Sequence, residues 1–281
     1  MKFTEKDLEI VRCNLCNSSY SDSELWTKKD GINIIKCKKC GLVFSNPRLN
    51  KEALDRYYSE QYFKEGDYNE DKLREKSYIE EIKEIINIVG NKGQFLDVGA
   101  AYGKFLTMLP NTFEKFGLEY SKDAVESGNK MFNLNLKQGI LPEAGYEEKF
   151  FDVVHFRGVI EHLRNPNANI KEANKILKDN GWLIFNIVPN IDGPVGRRFK
   201  EKFRLVFPQE HIYYFSPKTL TKMLEKNGFK VKKITYPYLN TPYANPIKNI
   251  IEFIVNKPLG KDSPPFWKNI MTFYAQKRLK W

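Results

Sequence analysis

The chain has 281 residues, 41% of them hydrophobic, which is enough for one large domain plus a small one and too apolar for a disordered chain. Forty-six basic residues against 35 acidic ones give a net charge of +11, which suits an acidic partner: nucleic acid, a phosphorylated small molecule or a membrane surface. No apolar run approaches the ~20 residues of a membrane helix, and the charged start, residues 1–10, lacks the apolar segment of a signal peptide, so a cytoplasmic protein without a membrane span is expected.

All four cysteines lie in the first 40 residues, as Cys13-x-x-Cys16 and Cys37-x-x-Cys40, with 20 residues between the pairs. Each turn can aim two thiolates at one ion, which is the two-knuckle spacing of a tetrahedral Zn²⁺ site. Four thiolates leave no open position, so the metal would be structural. A unit of about 45 residues buries little core alone, and the metal would contribute folding energy directly. Residues 1–49 therefore read as a zinc-binding module, with Cys13, Cys16, Cys37 and Cys40 as ligands.

Residues 50–92 read as a helical linker or lid. Asn50 can cap a helix through Leu54, Tyr57, Tyr58 and Tyr62. The aromatic cluster of Tyr57, Tyr58, Tyr62 and Phe63 suits packing between modules, or a lid whose ring faces meet a cation. A second helix is expected from about Asp71 to Val89, with Ile79, Ile82, Ile85, Ile86 and Val89 at helical spacing and a solvated Glu/Lys face opposite. Gly90 and Gly93 would end it.

The stretch from Gln94 to Leu106 reads as a buried strand, a glycine turn and a helix start. Gly99, lacking a Cβ, would let a ligand approach the backbone, and the helix N-terminus would favour an anionic group. Glu119, about 20 residues on, ends the next apolar run and is placed for ribose hydroxyls. A dinucleotide fingerprint fits poorly, because Ala101 and Lys104 stand where its second and third glycines belong.

The pattern Asp97-x-Gly99-x-x-x-Gly103 resembles motif I of the class I S-adenosylmethionine (SAM)-dependent methyltransferases, most of which carry Gly where Ala101 stands. The resemblance implies a cofactor site of Asp97, Gly99, Ala101, Gly103 and Glu119. It places adenine at the turn after a short third strand, Leu134–Lys137, on the backbone of Gly139 and an apolar wall from Ile140. Phe150–Phe156 is the fourth strand, and its exit adds Phe156 and Arg157 to the crevice; Asp152 reads as structural. Ser121 would cap the helix before the third strand, and a helix through Lys178 would precede a fifth strand beginning at Gly181. Strands and helices alternate from residue 93 to about 235, which implies a doubly wound parallel sheet. The family adds a seventh, antiparallel strand, for which Asn269–Ala275 is the candidate. The expected fold is α/β: a Rossmann-like, seven-stranded methyltransferase sheet over residues 93–281, with a small N-terminal zinc-ribbon-like module.

Methyl transfer to a hydroxyl calls for positioning and for a base. The chain has three histidines: His155, His162 and His211. His155 alternates inside the fourth strand and reads as core. Glu161-His162 resembles part of the Glu-x-x-Glu-His segment linked to a divalent metal in ubiquinone-type O-methyltransferases, but Gly158 replaces its first Glu, so scaffolding of the crevice is the expected role. Glu210-His211-Ile-Tyr-Tyr-Phe-Ser216 resembles the E-H-x-x-x-F-S block of zinc-containing sugar methyltransferases. By that resemblance His211 is the general base and Glu210 orients it or contacts substrate; His162, beside Glu161, is the third candidate for the catalytic set.

The insertion of residues 189–215 carries Arg197, Arg198, Lys200, Lys202 and Arg204 with Phe199, Phe203 and Phe207 interleaved, which suits a phosphate-bearing substrate or an amphipathic surface helix. The extension, 236–281, with its apolar run Ile250–Val255, would shape the acceptor pocket or a homodimer contact. The leading expectation is O-methylation of a nucleotide-linked sugar or phosphorylated precursor in cell-surface polysaccharide biosynthesis. Sugar C-methylation, RNA methylation and a non-catalytic binding module are the alternatives.

Overall fold

Near-continuous apolar runs at 95–98, 151–156 and 183–188 are what strands buried on both faces require, and they form the centre of the sheet in the computed structural model. The structure describes residues 3–61, 69–239 and 241–279. The four-cysteine module holds β1 (Leu8–Glu9), β2 (Ser23–Lys29), β3 (Ile32–Cys37), β4 (Val43–Ser45) and β5 (Arg48–Leu49), followed by α1 (Lys51–Gln61) and α2 (Asn69–Val89). The large domain runs β6 (Gly93–Val98), α3 (Lys104–Met108), β7 (Phe113–Glu119), α4 (Lys122–Phe132), β8 (Leu136–Gln138), β9 (Phe151–Arg157), α5 (Pro166–Ile176), β10 (Leu177–Pro189), α6 (Pro194–Phe199), β11 (Tyr213–Tyr214), α7 (Pro217–Lys226), β12 (Phe229–Thr235), α8 (Pro246–Val255) and β13 (Ile270–Lys277).

Seven strands form one sheet in the order β12-β13-β10-β9-β6-β7-β8. β13 is antiparallel to both its neighbours, while β6 to β10 pair in parallel. The expected antiparallel strand is therefore present, shifted by a residue or two. β10 starts at Leu177, earlier than the expected Gly181; Leu177 pairs with Phe151, and a register shift precedes Trp182. Side chains alternate between faces with the strand period of two. Phe95, Val153 and Ile184 join one core cluster, and Leu96, Val154 and Phe185 join the other. Chain order reverses between β6 and β9, which opens a crevice at the strands' carboxyl ends.

Among the described residues the N-terminal module has no separate core. Cys13, Cys37, Phe44 and Leu49 belong to the same buried cluster as Ile170 of α5 and Leu220 and Met223 of α7. Its sheet is finished by the large domain: the order is β11-β4-β3-β2, with Tyr213 opposite Phe44 and Tyr214 opposite Val43. Arg48 extends the joint by donating to the carbonyl of Arg164 at 2.8 Å.

Caps agree with the sequence. Ala53 N–H donates to Asn50 Oδ1 at 2.9 Å, and Ala124 N–H to Ser121 Oγ at 3.2 Å. The solvated face expected on α2 is different at Glu81, which is 9% exposed because it meets the half-buried Arg157. Of the aromatic cluster, the side chains of Tyr58, Tyr62 and Phe63 lie outside the described residues. Tyr57 donates its hydroxyl to Glu210 Oε1 at 2.6 Å.

Candidate active site

A cleft of about 2320 Å³ runs along the strand ends, bounded by Gly99, Glu119, Ile140, Arg157, His211 and Tyr243 among others. Pockets for a single small ligand span roughly 300–1,000 Å³, so a cofactor and an acceptor fit together here.

The turn after β6 is held by backbone bonds: Gly99 and Ala100 N–H groups both donate to the Leu118 carbonyl, at 2.7 and 3.1 Å. Gly99 has φ +76, and a Cβ there would collide with Val159, so packing under the loop demands glycine as well as any ligand. Ala101, where most methyltransferases have Gly, sits at φ 48 in the left-handed region. Its N–H donates to Glu119 Oε2 at 2.9 Å, and Ser121 N–H donates to Glu119 Oε1 at 2.9 Å. Gly103, φ +84, caps α3, which is only five residues long, so its dipole is small.

Asp97 and Glu119 are both buried. Asp97 Oδ1 meets His155 Nδ1 at 2.8 Å, which makes His155 the core residue expected and shows what occupies one Asp97 oxygen. Gly139 N–H donates to the Glu119 carbonyl at 2.9 Å, and Ile140 stands 39% exposed on the cleft wall. Phe156 is placed elsewhere: it is 1% exposed and packs on Phe185 with centroids 5.1 Å apart, because alternation along β9 turns it into the core. Arg157 faces the cleft but forms a bidentate pair with Glu81, at 2.8 and 3.0 Å, under Tyr78. Asn186 Nδ2 also donates to Glu81, at 2.9 Å. Asp152 is structural, accepting from Gln94 N–H and Lys178 Nζ.

Further along the cleft, Glu161, His162 and His211 bring one ligand atom each within 4.8 Å of one another. The rings of His162 and His211 meet edge to face, centroids 4.6 Å apart. His211 Nδ1 lies 2.8 Å from the Leu205 carbonyl, so Nδ1 carries the hydrogen and Nε2 keeps its lone pair. A ring nitrogen of His162 likewise donates to the Glu210 carbonyl. Burial lowers His211 to about 4 and holds His162 well below its usual value, the latter aided by repulsion from His211. Burial pushes Glu161 up to about 8, and its Oε2 has no hydrogen-bond partner among the described residues. The chain holds the group together: the Glu161 carbonyl accepts from Ile212 and Tyr213 N–H at 2.8 and 3.1 Å. Sequence reading placed Glu161 as scaffolding and missed Glu81. The signal for Glu81 was its position three residues after Tyr78, on the border of the apolar face of α2.

Of the five basic residues in the insertion, only Arg204 lines the cleft. Arg197 pairs with Asp192, Arg198 donates to α8 carbonyls and Lys202 to the Gly260 carbonyl. Phe199 and Phe203 are fully buried, while Phe207 is 43% exposed.

The four cysteines form a second cluster, with ligand atoms within 4.8 Å of one another. Sγ–Sγ distances of 3.4 Å (Cys13–Cys40) and 3.5 Å (Cys16–Cys37) are far beyond a disulfide. They approach the edge of about 3.8 Å that a Zn–S tetrahedron implies. The donor set fits structural zinc.

A family model described as a methyltransferase domain matches residues 68–234. MJ1123 from Methanocaldococcus jannaschii is 30% identical over 179 residues, 63% of this chain and 82% of that protein. MJ1252 of the same organism is 27% identical over 173 residues, 60% of this chain and 66% of that one. Among solved structures, a SAM-dependent methyltransferase from Thermotoga maritima superposes with a TM-score of 0.56 at 18% identity, over 80% of this chain and 99% of that one. One from Methanosarcina mazei gives 0.51 at 16%, over 70% and 97%. At these identities the likeness to the solved structures is one of fold.

Proposed function

Given that the chain belongs to the methyltransferase-domain family and is a SAM-dependent methyltransferase, we propose that it methylates a hydroxyl of an anionic small molecule, with His211 as the proton acceptor. Nucleotide-linked sugars and other phosphorylated precursors of a surface glycan are the acceptor class. The observation that carries this reading is the fixed tautomer of His211, a residue of the cleft lining: Nδ1 is engaged by the Leu205 carbonyl, which leaves Nε2 as the lone-pair nitrogen.

The bound cofactor supplies an electrophilic methyl group on sulfonium sulfur. The chain's own residues do the rest. Gly99, Ala101 and Gly103 shape the turn that would receive the cofactor, and Glu119, with oxygens at the end of β7, would take its ribose hydroxyls. Gly139 and Ile140 would wall the adenine. Burial keeps His211 neutral and able to accept a proton at physiological pH, at the cost of a weaker base than one tuned near neutrality. Glu210, held by Tyr57, fixes the segment on which His211 sits, and Arg204 offers a guanidinium to an acceptor phosphate. Four cysteine thiolates would hold zinc and leave it no catalytic position.

A labelled-methyl assay against nucleotide sugars, phosphorylated precursors and total RNA tests the acceptor class. Transfer to a phosphorylated small molecule is expected; transfer to RNA alone, with steep salt dependence, overturns it. His211→Ala should leave cofactor affinity within about threefold and lower turnover by about 10²-fold or more. Unchanged turnover removes His211 from the chemistry.

One observation favours a second reading of the same residues. Glu161, whose Oε2 is unpartnered among the described residues, brings a ligand atom within 4.8 Å of two neutral imidazoles, and His211 is tied to a carbonyl through Nδ1, as metal-bound histidines are. Glu161, His162 and His211 would then hold a divalent cation that acidifies the acceptor hydroxyl, and His211 would be a ligand instead of the base. Turnover that is lost on chelation and restored by Mg²⁺ or Mn²⁺, with the cysteine-bound zinc intact, selects this reading.

A further inference from the structure

Helix α8 turns an aliphatic stripe away from the protein. Ile247, Ile250, Ile251 and Ile254 are 77, 51, 56 and 59% exposed, and they recur at helical spacing. The opposite side is anchored. Asn249 is buried and donates to the Tyr238 hydroxyl at 2.9 Å, and Phe253 stacks on Phe266 with centroids 4.7 Å apart. One exposed isoleucine needs no explanation; four on one face of a short helix do.

Cations flank the stripe. At about 100° per residue, Lys248 falls on one border beside Val255. On the other border, beyond Phe253, Arg198 lies 5.3 Å from that ring and donates to the Phe253 and Ile254 carbonyls. Past the helix, Lys257 and Lys261 are exposed on either side of Leu259, itself 63% exposed. Two acids stand against them. Glu252 lies on the more buried side, 3.8 Å from Lys248, and Asp262 follows Lys261.

We propose that this face docks α8 flat on an anionic lipid surface. Ten residues rise only about 15 Å, half of a hydrocarbon core, so the helix would lie in the interface. Partner-protein hot spots favour Trp, Tyr and Arg at their centre, whereas this centre is wholly aliphatic and the cations sit at its borders, where headgroup phosphates would be. The net charge of +11 attracts the protein to such a surface from a distance. Arg204 and Tyr243 line both the main cleft and the groove beside α8, so docking would bring the cleft mouth to the headgroup layer. The inference does not depend on the acceptor or on the base.

Co-sedimentation of the full chain with vesicles tests it, comparing phosphatidylcholine with an equimolar phosphatidylcholine–phosphatidylglycerol mixture. The anionic vesicles should bind about tenfold more protein or better, and high salt should reverse part of the gain. Ile250→Ser with Ile254→Ser should cut binding about tenfold, with cofactor affinity unchanged. Lys248→Gln with Lys257→Gln should cut it severalfold, and this pair decides the matter if the serine variant misfolds. Equal sedimentation of native and variant proteins overturns the proposal. So does a stable homodimer that the serine variant converts to monomer, which assigns the stripe to a second copy.

Discussion

The backbone N–H of Ser45 donates to the carbonyl of Ile212 at 2.9 Å, tying the four-cysteine module to the residue that follows His211. Tyr213 and Tyr214 continue the tie as the outer strand of the module's sheet. Metal loss should therefore reach His211 through the backbone. Cys37→Ser should lower zinc from about one per chain and reduce turnover at least about tenfold, while cofactor affinity, which depends on a turn of the other sheet, shifts less than threefold. Metal analysis with parallel calorimetry and turnover checks this; full activity in a zinc-free protein would refute the coupling.

Glu119 serves two backbone donors, one of them on Ala101 in its left-handed conformation. Glu119→Ala frees that turn as well as removing the ribose acceptor. Cofactor affinity should drop about tenfold or more by calorimetry, in the range of a charged hydrogen bond lost. Glu119→Gln keeps one acceptor oxygen and should lose less.

Arg157 and Glu81 illustrate a pair that is costly to break and cheaper to replace. Their side chains are 14% and 10% exposed. Glu81→Ala leaves a guanidinium buried without its carboxylate and should destabilise the fold by about 3–5 kcal/mol in urea denaturation. Glu81→Leu combined with Arg157→Met should recover most of that loss; equal instability in both variants would place the effect elsewhere.

Local chemistry was the legible part of the sequence. The cysteine knuckles, the Asn50 and Ser121 caps, the strand–helix alternation and the acid at Glu119 each declare themselves within a few residues. What stayed hidden depends on partners far along the chain. Glu81 is buried because Arg157 lies 76 residues away, and Glu161 gains its meaning only when His211 arrives from beyond β10. The run Ile212–Phe215 is rich in strand formers, but its partner is remote in sequence, and only the module's open edge makes Tyr213 and Tyr214 a strand. Phe156 differs for a simpler reason: its place near the strand exit says less than the two-residue alternation of β9, which turns it toward Phe185. At Gly99 a ligand and the packing make the same demand, because Val159 beneath it already excludes a side chain.

The buried contact of Asp97 with His155 has a consequence for descent. His155 Nε2 has no partner among the described residues and Phe105 stacks on the ring at 4.6 Å, so Asp97 is the imidazole's one polar anchor. Changing either residue alone strands the other, at about 1–3 kcal/mol, whereas a joint apolar exchange removes both needs at once and should cost less than the sum. The two positions ought to drift through a lineage together, so that kin lacking the imidazole have remodelled the carboxylate's company too.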